Sequence, residues 1–173
     1  MNPPTKYNAG RKQPATLKIS KARAEGVAVL MEEIQLAIEW NRPSILLSLQ
    51  KSNRLRGNAE IALEKNLQKM KQEIVYVDLC RQLSNFPRLL FYAPESDQRI
   101  FFFNHLDCDV GDGRNVYRAL NLHREAFIEQ RIRSVFWLTP QEASSLVRFA
   151  PDFWAFRHRV VEFAPERGSR NIS

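Results

Sequence analysis

The chain has 173 residues, 44% of them hydrophobic, two cysteines and a formal net charge of +7. That length supports a single domain with a full core, and the apolar content is ordinary for a globular chain. No apolar run approaches the roughly eighteen residues of a membrane span, and Cys80 and Cys108, lacking CxxC spacing, read as free thiols of a reducing cytoplasm rather than a disulfide framework or zinc site.

The charge sits at the start. Lys6, Arg11, Lys12, Lys18, Lys21 and Arg23 all fall within residues 1–24, which hold no acid, so the remainder is nearly neutral. With Pro3, Pro4 and Pro14 and little apolar content, residues 1–17 read as a disordered basic arm. Such an arm suits solubilisation or partner binding first, and sequence-independent contact with nucleic-acid phosphates second. The prolines argue against the amphipathic helix of an organellar transit peptide. A secretory signal is equally unsupported, because the first apolar-rich segment starts at Val27 and carries Glu32 and Glu33.

From residue 18 to 40, Val27, Leu30, Ile34, Ala37 and Ile38 recur at helical spacing, and Arg42-Pro43 stops the helix. Residues 44–49, SILLSL, form a short apolar strand. A polar loop over 51–58 and a helix over 59–71 follow, then a strand over 73–79, EIVYVDL, and a brief helix or turn over 80–85. Residues 88–92, RLLFY, read as a strand or a helix end, broken by Pro94. The next strand spans 100–103 with flanks to Leu106, and an Asp- and Gly-rich loop leads to a helix over 115–130 whose stripe is Val116, Leu120, His123 and Phe127. Residues 134–138 suit a strand buried on both faces. Thr139, Pro140 and Glu142 then make a capping box for a helix on which Phe149, Phe153 and Phe156 share one apolar face. A last strand covers 160–163, and residues 164–173 read as a flexible tail.

Strands alternating with helices predict an α/β fold: one domain over 18–163, three-layer, with a mainly parallel five-stranded sheet and helices on both faces. Ligands of such sheets sit beyond the carboxyl ends of the strands. A phosphate loop after the first strand needs glycines that turn backbone N–H groups inward, then Lys and Ser or Thr. Residues 50–58 read QKSNRLRGN, with one glycine and no GKS or GKT, leaving Lys51 and Ser52 as weak phosphate-binding candidates. Asp107 or Asp109 stands where P-loop enzymes hold magnesium. His105, Asp107 and Asp109 also form a weak metal set, without the DxDxDG order of a calcium loop. Cys108 beside His105 is a poor nucleophile candidate, because neighbouring acids disfavour a thiolate. His123 reads as a core residue and His158 as a surface one. Trp154 lies off the aromatic stripe and, with Arg157, is a candidate partner contact. Arg148, Arg157 and Arg159, interleaved with aromatics, offer stacking on nucleic acid as the alternative.

Three segments taken together, ALNLHRE at 119–125, VFWLT at 135–139 and APDFWAFR at 150–157, resemble a bacterial module. It is similar to degenerate relatives of the STAND P-loop ATPases, a signal-transducing class often found in bacterial multidomain defence proteins. The resemblance covers about residues 33–163. It implies a P-loop NTPase-like fold, with residues 100–107 as the Walker B strand and 50–58 as the phosphate-loop position. This chain departs from the active pattern there. The expectation is therefore a non-catalytic interaction or signalling module without a cofactor, with a nucleic-acid-binding subunit and a divergent ATPase as alternatives.

Overall fold

The computed structural model describes residues 16–91, 96–108 and 114–163. Helix α1 (Thr16–Glu39) precedes strand β1 (Ser44–Gln50), and α2 (Asn53–Lys69) leads to β2 (Glu73–Asp78). Two short helices, α3 (Leu79–Gln82) and α4 (Phe86–Phe91), connect β2 to β3 (Arg99–Asn104). Helices α5 (Arg114–Leu122) and α6 (Arg124–Glu129) connect β3 to β4 (Arg133–Leu138), and α7 (Pro140–Phe149) and α8 (Pro151–Ala155) lead to β5 (Arg159–Phe163). The five strands form one sheet in the order β2-β3-β4-β1-β5, and every pairing is parallel. The result is the expected three-layer α/β arrangement, with a five-stranded sheet between helices on both faces.

The order of the strands decides which face each helix covers. The chain runs from β1 across to the far edge at β2, then returns stepwise through β3 and β4 and passes β1 to reach β5. Right-handed crossovers require outward and returning connections to lie on opposite faces. They do: Ala59, Leu63 and Leu67 of α2 join Leu30 and Ile34 of α1 against Leu46, Phe102, Val135 and Trp137. On the other face Leu90, Leu120, Phe127, Leu146 and Phe153, from the returning helices, pack on Leu47, Phe103 and Phe136. Strand β4, central and buried throughout, supplies side chains to both cores, as its unbroken apolar run requires.

Three helix ends close in the same way. Asn41, Lys71 and Arg131 each take a left-handed φ, and the next residue's N–H bonds back five positions, from Arg42 to Ala37, Gln72 to Leu67 and Ile132 to Phe127. This is the Schellman pattern built without glycine. At the lower end of the sheet the buried Arg133 guanidinium donates to the Ala37 and Asp97 carbonyls at 3.3 and 3.0 Å and to Asn41 Oδ1 at 3.2 Å. One residue of β4 thereby ties the end of α1 to the entry of β3.

Several local expectations are corrected. Helix α2 begins at Asn53, so the polar loop over 51–58 does not exist; polar residues such as Arg54 and Asn58 occupy its outer face while Leu55 and Ala59 are buried. Residues 86–91 are helical, which settles the open reading of that segment. The helix over 115–130 breaks at His123 into α5 and α6. The aromatic helix breaks at Ala150, where φ is −136° and Pro151 starts a new helix. Phe149 is therefore 36% exposed although Phe153 is fully buried. The cysteines are not free: Cys80 and Cys108 form a disulfide. Because β2 and β3 pair with Asp78 opposite Asn104, residues just past their ends lie side by side despite a separation of 28 in sequence.

Candidate functional site

Strands β1 and β4 are neighbours, but the connection leaving β1 goes to one face and that leaving β4 to the other. Their carboxyl ends therefore flank the switch point at which open α/β sheets form a ligand crevice. The residues there are Lys51 and Ser52 after β1, Thr139 after β4, and the β3 loop from His105 to Cys108 beside it.

The junction between β1 and α2 is two residues long. Ser52 is extended, with φ −142° and ψ 143°, and its hydroxyl caps α2 by accepting from the Leu55 N–H at 3.3 Å. A phosphate cradle needs a run of residues whose N–H groups converge on one point. Lys51 and Ser52 are too few, the Ser52 hydroxyl serves the helix, and the Lys51 side chain is exposed.

At the other lip Glu142 does more than close its capping box. Its Oε2 accepts from the Thr139 N–H at 2.8 Å, while the Thr139 hydroxyl accepts from the Glu142 N–H at 3.1 Å. Its Oε1 accepts from the backbone N–H groups of Leu106 and Asp107 at 2.9 and 3.3 Å. A carboxylate that is only 7% exposed thus binds the backbone leaving β3 to the backbone leaving β4. The sequence shows the capping box; that the same carboxylate reaches β3 follows only from the strand order.

Asp107 accepts a hydrogen bond from the buried Tyr117 hydroxyl on α5. Burial and the Asp107 carboxylate both push the Tyr117 phenol well above its ordinary range, so it stays a proton donor to Asp107. His105 holds a left-handed φ of 53°, which for a residue with a side chain is a strained conformation. Its Nδ1 lies 2.7 Å from Asp78 Oδ2, at the end of the adjacent strand. Burial raises the Asp78 carboxyl, but hydrogen bonds from His105 and the Arg81 N–H outweigh it and hold the group below its usual value. His105 is engaged by Asp78 and Asp107 by Tyr117, so the two are engaged separately. No group of three or more metal-ligating side chains occurs among the described residues, and Asp109 lies outside them.

The remaining candidates disperse. Lys6, Arg11 and Lys12 lie outside the described residues, Lys18 and Lys21 fall on α1, and Arg23 is half-buried on the same helix. The Arg157 guanidinium stacks 4.3 Å over the half-buried Trp154 ring and donates to the Trp154 carbonyl at 2.8 Å. His123, expected in the core, is half-buried against the rings of Phe86 and Phe91. His158 has a role its sequence context conceals: its Nδ1 accepts from the Ile45 N–H at 2.9 Å while its backbone N–H donates to the Ile45 carbonyl at 2.8 Å.

No family model matches the chain, and no curated protein does. Among solved structures, a chain of Drosophila ORC bound to AT-rich DNA and Cdc6 aligns at 11% identity with a TM-score of 0.47. The alignment covers 95% of this chain and 35% of that one, so this chain spans about a third of the length of the structure it matches. No helix among the described residues is long and apolar enough to cross a membrane.

Proposed function

We propose that this chain is a non-catalytic protein-interaction module on a P-loop-like fold, serving a bacterial signalling or defence assembly. The observation that carries the proposal is the two-residue junction between β1 and α2. In nucleotide-hydrolysing relatives of this architecture that junction is the phosphate loop. Here it holds a helix cap, and across the switch point Glu142 occupies the backbone donors of Leu106 and Asp107. Donors already filled by an internal carboxylate are not open to an incoming phosphate oxygen.

Aromatic and arginine side chains are the residues that most often anchor protein partners. Arg157 stacked on Trp154 is such a pair, held at the end of α8 by its own hydrogen bond. The test compares wild-type protein with an Arg157→Glu, Trp154→Ala variant as bait in its native host. A stoichiometric partner retained by wild type and lost from the variant supports the reading. Magnesium-dependent ATP turnover that disappears in Asp107→Ala overturns it.

A further inference from the structure

We infer that Cys80 and Cys108 form a thiol–disulfide exchange site, whose reduction by a small thiol loosens the connections leaving β2 and β3 without unfolding the domain.

The position of the bond makes the case. It joins the start of α3 to the loop after β3, so it lies at the carboxyl edge of the sheet, where this architecture places its ligands. Both cysteines are half-buried, with Cys108 packed at the rim of one core cluster. The bond is also not needed to bring the strands together. Strands β2 and β3 are already paired along their length from Glu73 opposite Arg99 to Asp78 opposite Asn104. The Asp78–His105 bridge then repeats the same link at the mouth of the two loops. Disulfides serve as staples in domains too small to bury a sufficient core. Here two separate buried clusters cover both faces of the sheet.

The segments that the bond joins are short. Helix α3 has four residues and its cap is the Asp78 carboxylate, which is also the partner of His105. His105 itself sits in its left-handed conformation one residue before Leu106, and its carbonyl oxygen lies 2.9 Å from Cys80 Sγ. Opening the disulfide removes the covalent tie between these two strained or short segments and leaves the Asp78–His105 bridge as their remaining link. Glu142 continues to hold the Leu106 and Asp107 backbone. The expected change is local.

The chemistry closes with an external thiol of the glutathione class. A thiolate attacks one sulfur of the pair, the Cys80–Cys108 bond breaks, and the other sulfur leaves as a thiolate that takes a proton from solvent. A second thiolate resolves the mixed disulfide. Two protein thiols and one molecule of oxidised glutathione result, and oxidised glutathione drives the reverse.

The experiment treats the native full chain with excess reduced glutathione, alkylates it and measures the mass, with hydrogen exchange on the reduced and oxidised forms. Two alkylated cysteines are expected, reversed by oxidised glutathione, with faster exchange in α3 and at His105 and Cys108 and unchanged protection in β1 and β4. A Cys80→Ser, Cys108→Ser variant is expected to fold and to show the exchange pattern of the reduced form. Thiols that become alkylatable only in denaturant, protection lost across the whole sheet on reduction, or identical exchange in both forms would each overturn the inference.

Discussion

The Oε1 atom of Glu142 lies 2.9 Å from the backbone nitrogen of Leu106, thirty-six residues earlier in the chain, and joins the ends of two adjacent parallel strands. The same carboxylate caps α7 through Thr139. Replacing Glu142 with Ala leaves the buried Leu106 N–H and the Thr139 N–H without acceptors. Each such loss costs about 1–3 kcal/mol, and bonds to a charged acceptor lie at the upper end. Glu142→Ala is expected to lower unfolding stability by about 2–4 kcal/mol in urea titrations. Glu142→Gln keeps one carbonyl acceptor and loses the other oxygen, and is expected to fall between wild type and Glu142→Ala.

His158 makes the attachment of β5 to β1 sensitive to pH. Its Nδ1 must be unprotonated to accept from Ile45. Burial, then the nearby positive charge of Arg42, holds the imidazole below its ordinary value of 6.5, while Glu33 acts in the opposite sense. A depressed histidine favours the folded state while neutral, so its contribution is complete above pH 6.5 and declines as pH falls from there towards the folded-state value. Denaturation midpoints measured on either side of that point should show the decline. In His158→Asn, whose amide oxygen replaces Nδ1 as acceptor, this component of the pH dependence should disappear.

Arg133 is 2% exposed, and burial lowers its guanidinium pKa. It nonetheless satisfies two carbonyls and Asn41 Oδ1 at the lower end of the sheet. Arg133→Met fills much of the volume but strands those acceptors. The expected loss is about 2–4 kcal/mol, read from chemical denaturation, with the native circular dichroism spectrum retained.

Gly26 lies within α1, where glycine weakens a helix, yet the position tolerates little else. A Cβ there meets the Phe163 ring at 2.7 Å, and Phe163 is 5% exposed in the core between α1 and β5. Gly26→Val adds still more volume to this contact. It is expected to destabilise by about 1–3 kcal/mol, and Phe163→Leu, which shortens the opposing side chain, is expected to recover part of that loss in the double variant.

The legible parts of this fold were those written in local pattern. The apolar run of β4, the capping box at Thr139 and the stripe of α1 each fix an element from neighbours within a turn or two. The start of α2 is hidden because its first exposed turn is as polar as a loop, and a helix cap by Ser52 lacks the following acid that marks Thr139. The breaks at His123 and Ala150 were hidden because apolar spacing continues across them. The site was less legible than the fold. Glu142 on Leu106, Tyr117 on Asp107, His105 on Asp78 and Cys80 on Cys108 all join residues brought together by strand order. No spacing along the chain encodes that order.

In the proposed function the β1–α2 junction is a helix cap and not a phosphate site, and the melting temperature with and without magnesium ATP tests this most directly. An unchanged melting temperature at saturating nucleotide, in wild type and in Lys51→Ala alike, is the expected result, since a ligand stabilises only the state it binds. A nucleotide-dependent rise in wild type that Lys51→Ala abolishes would contradict it.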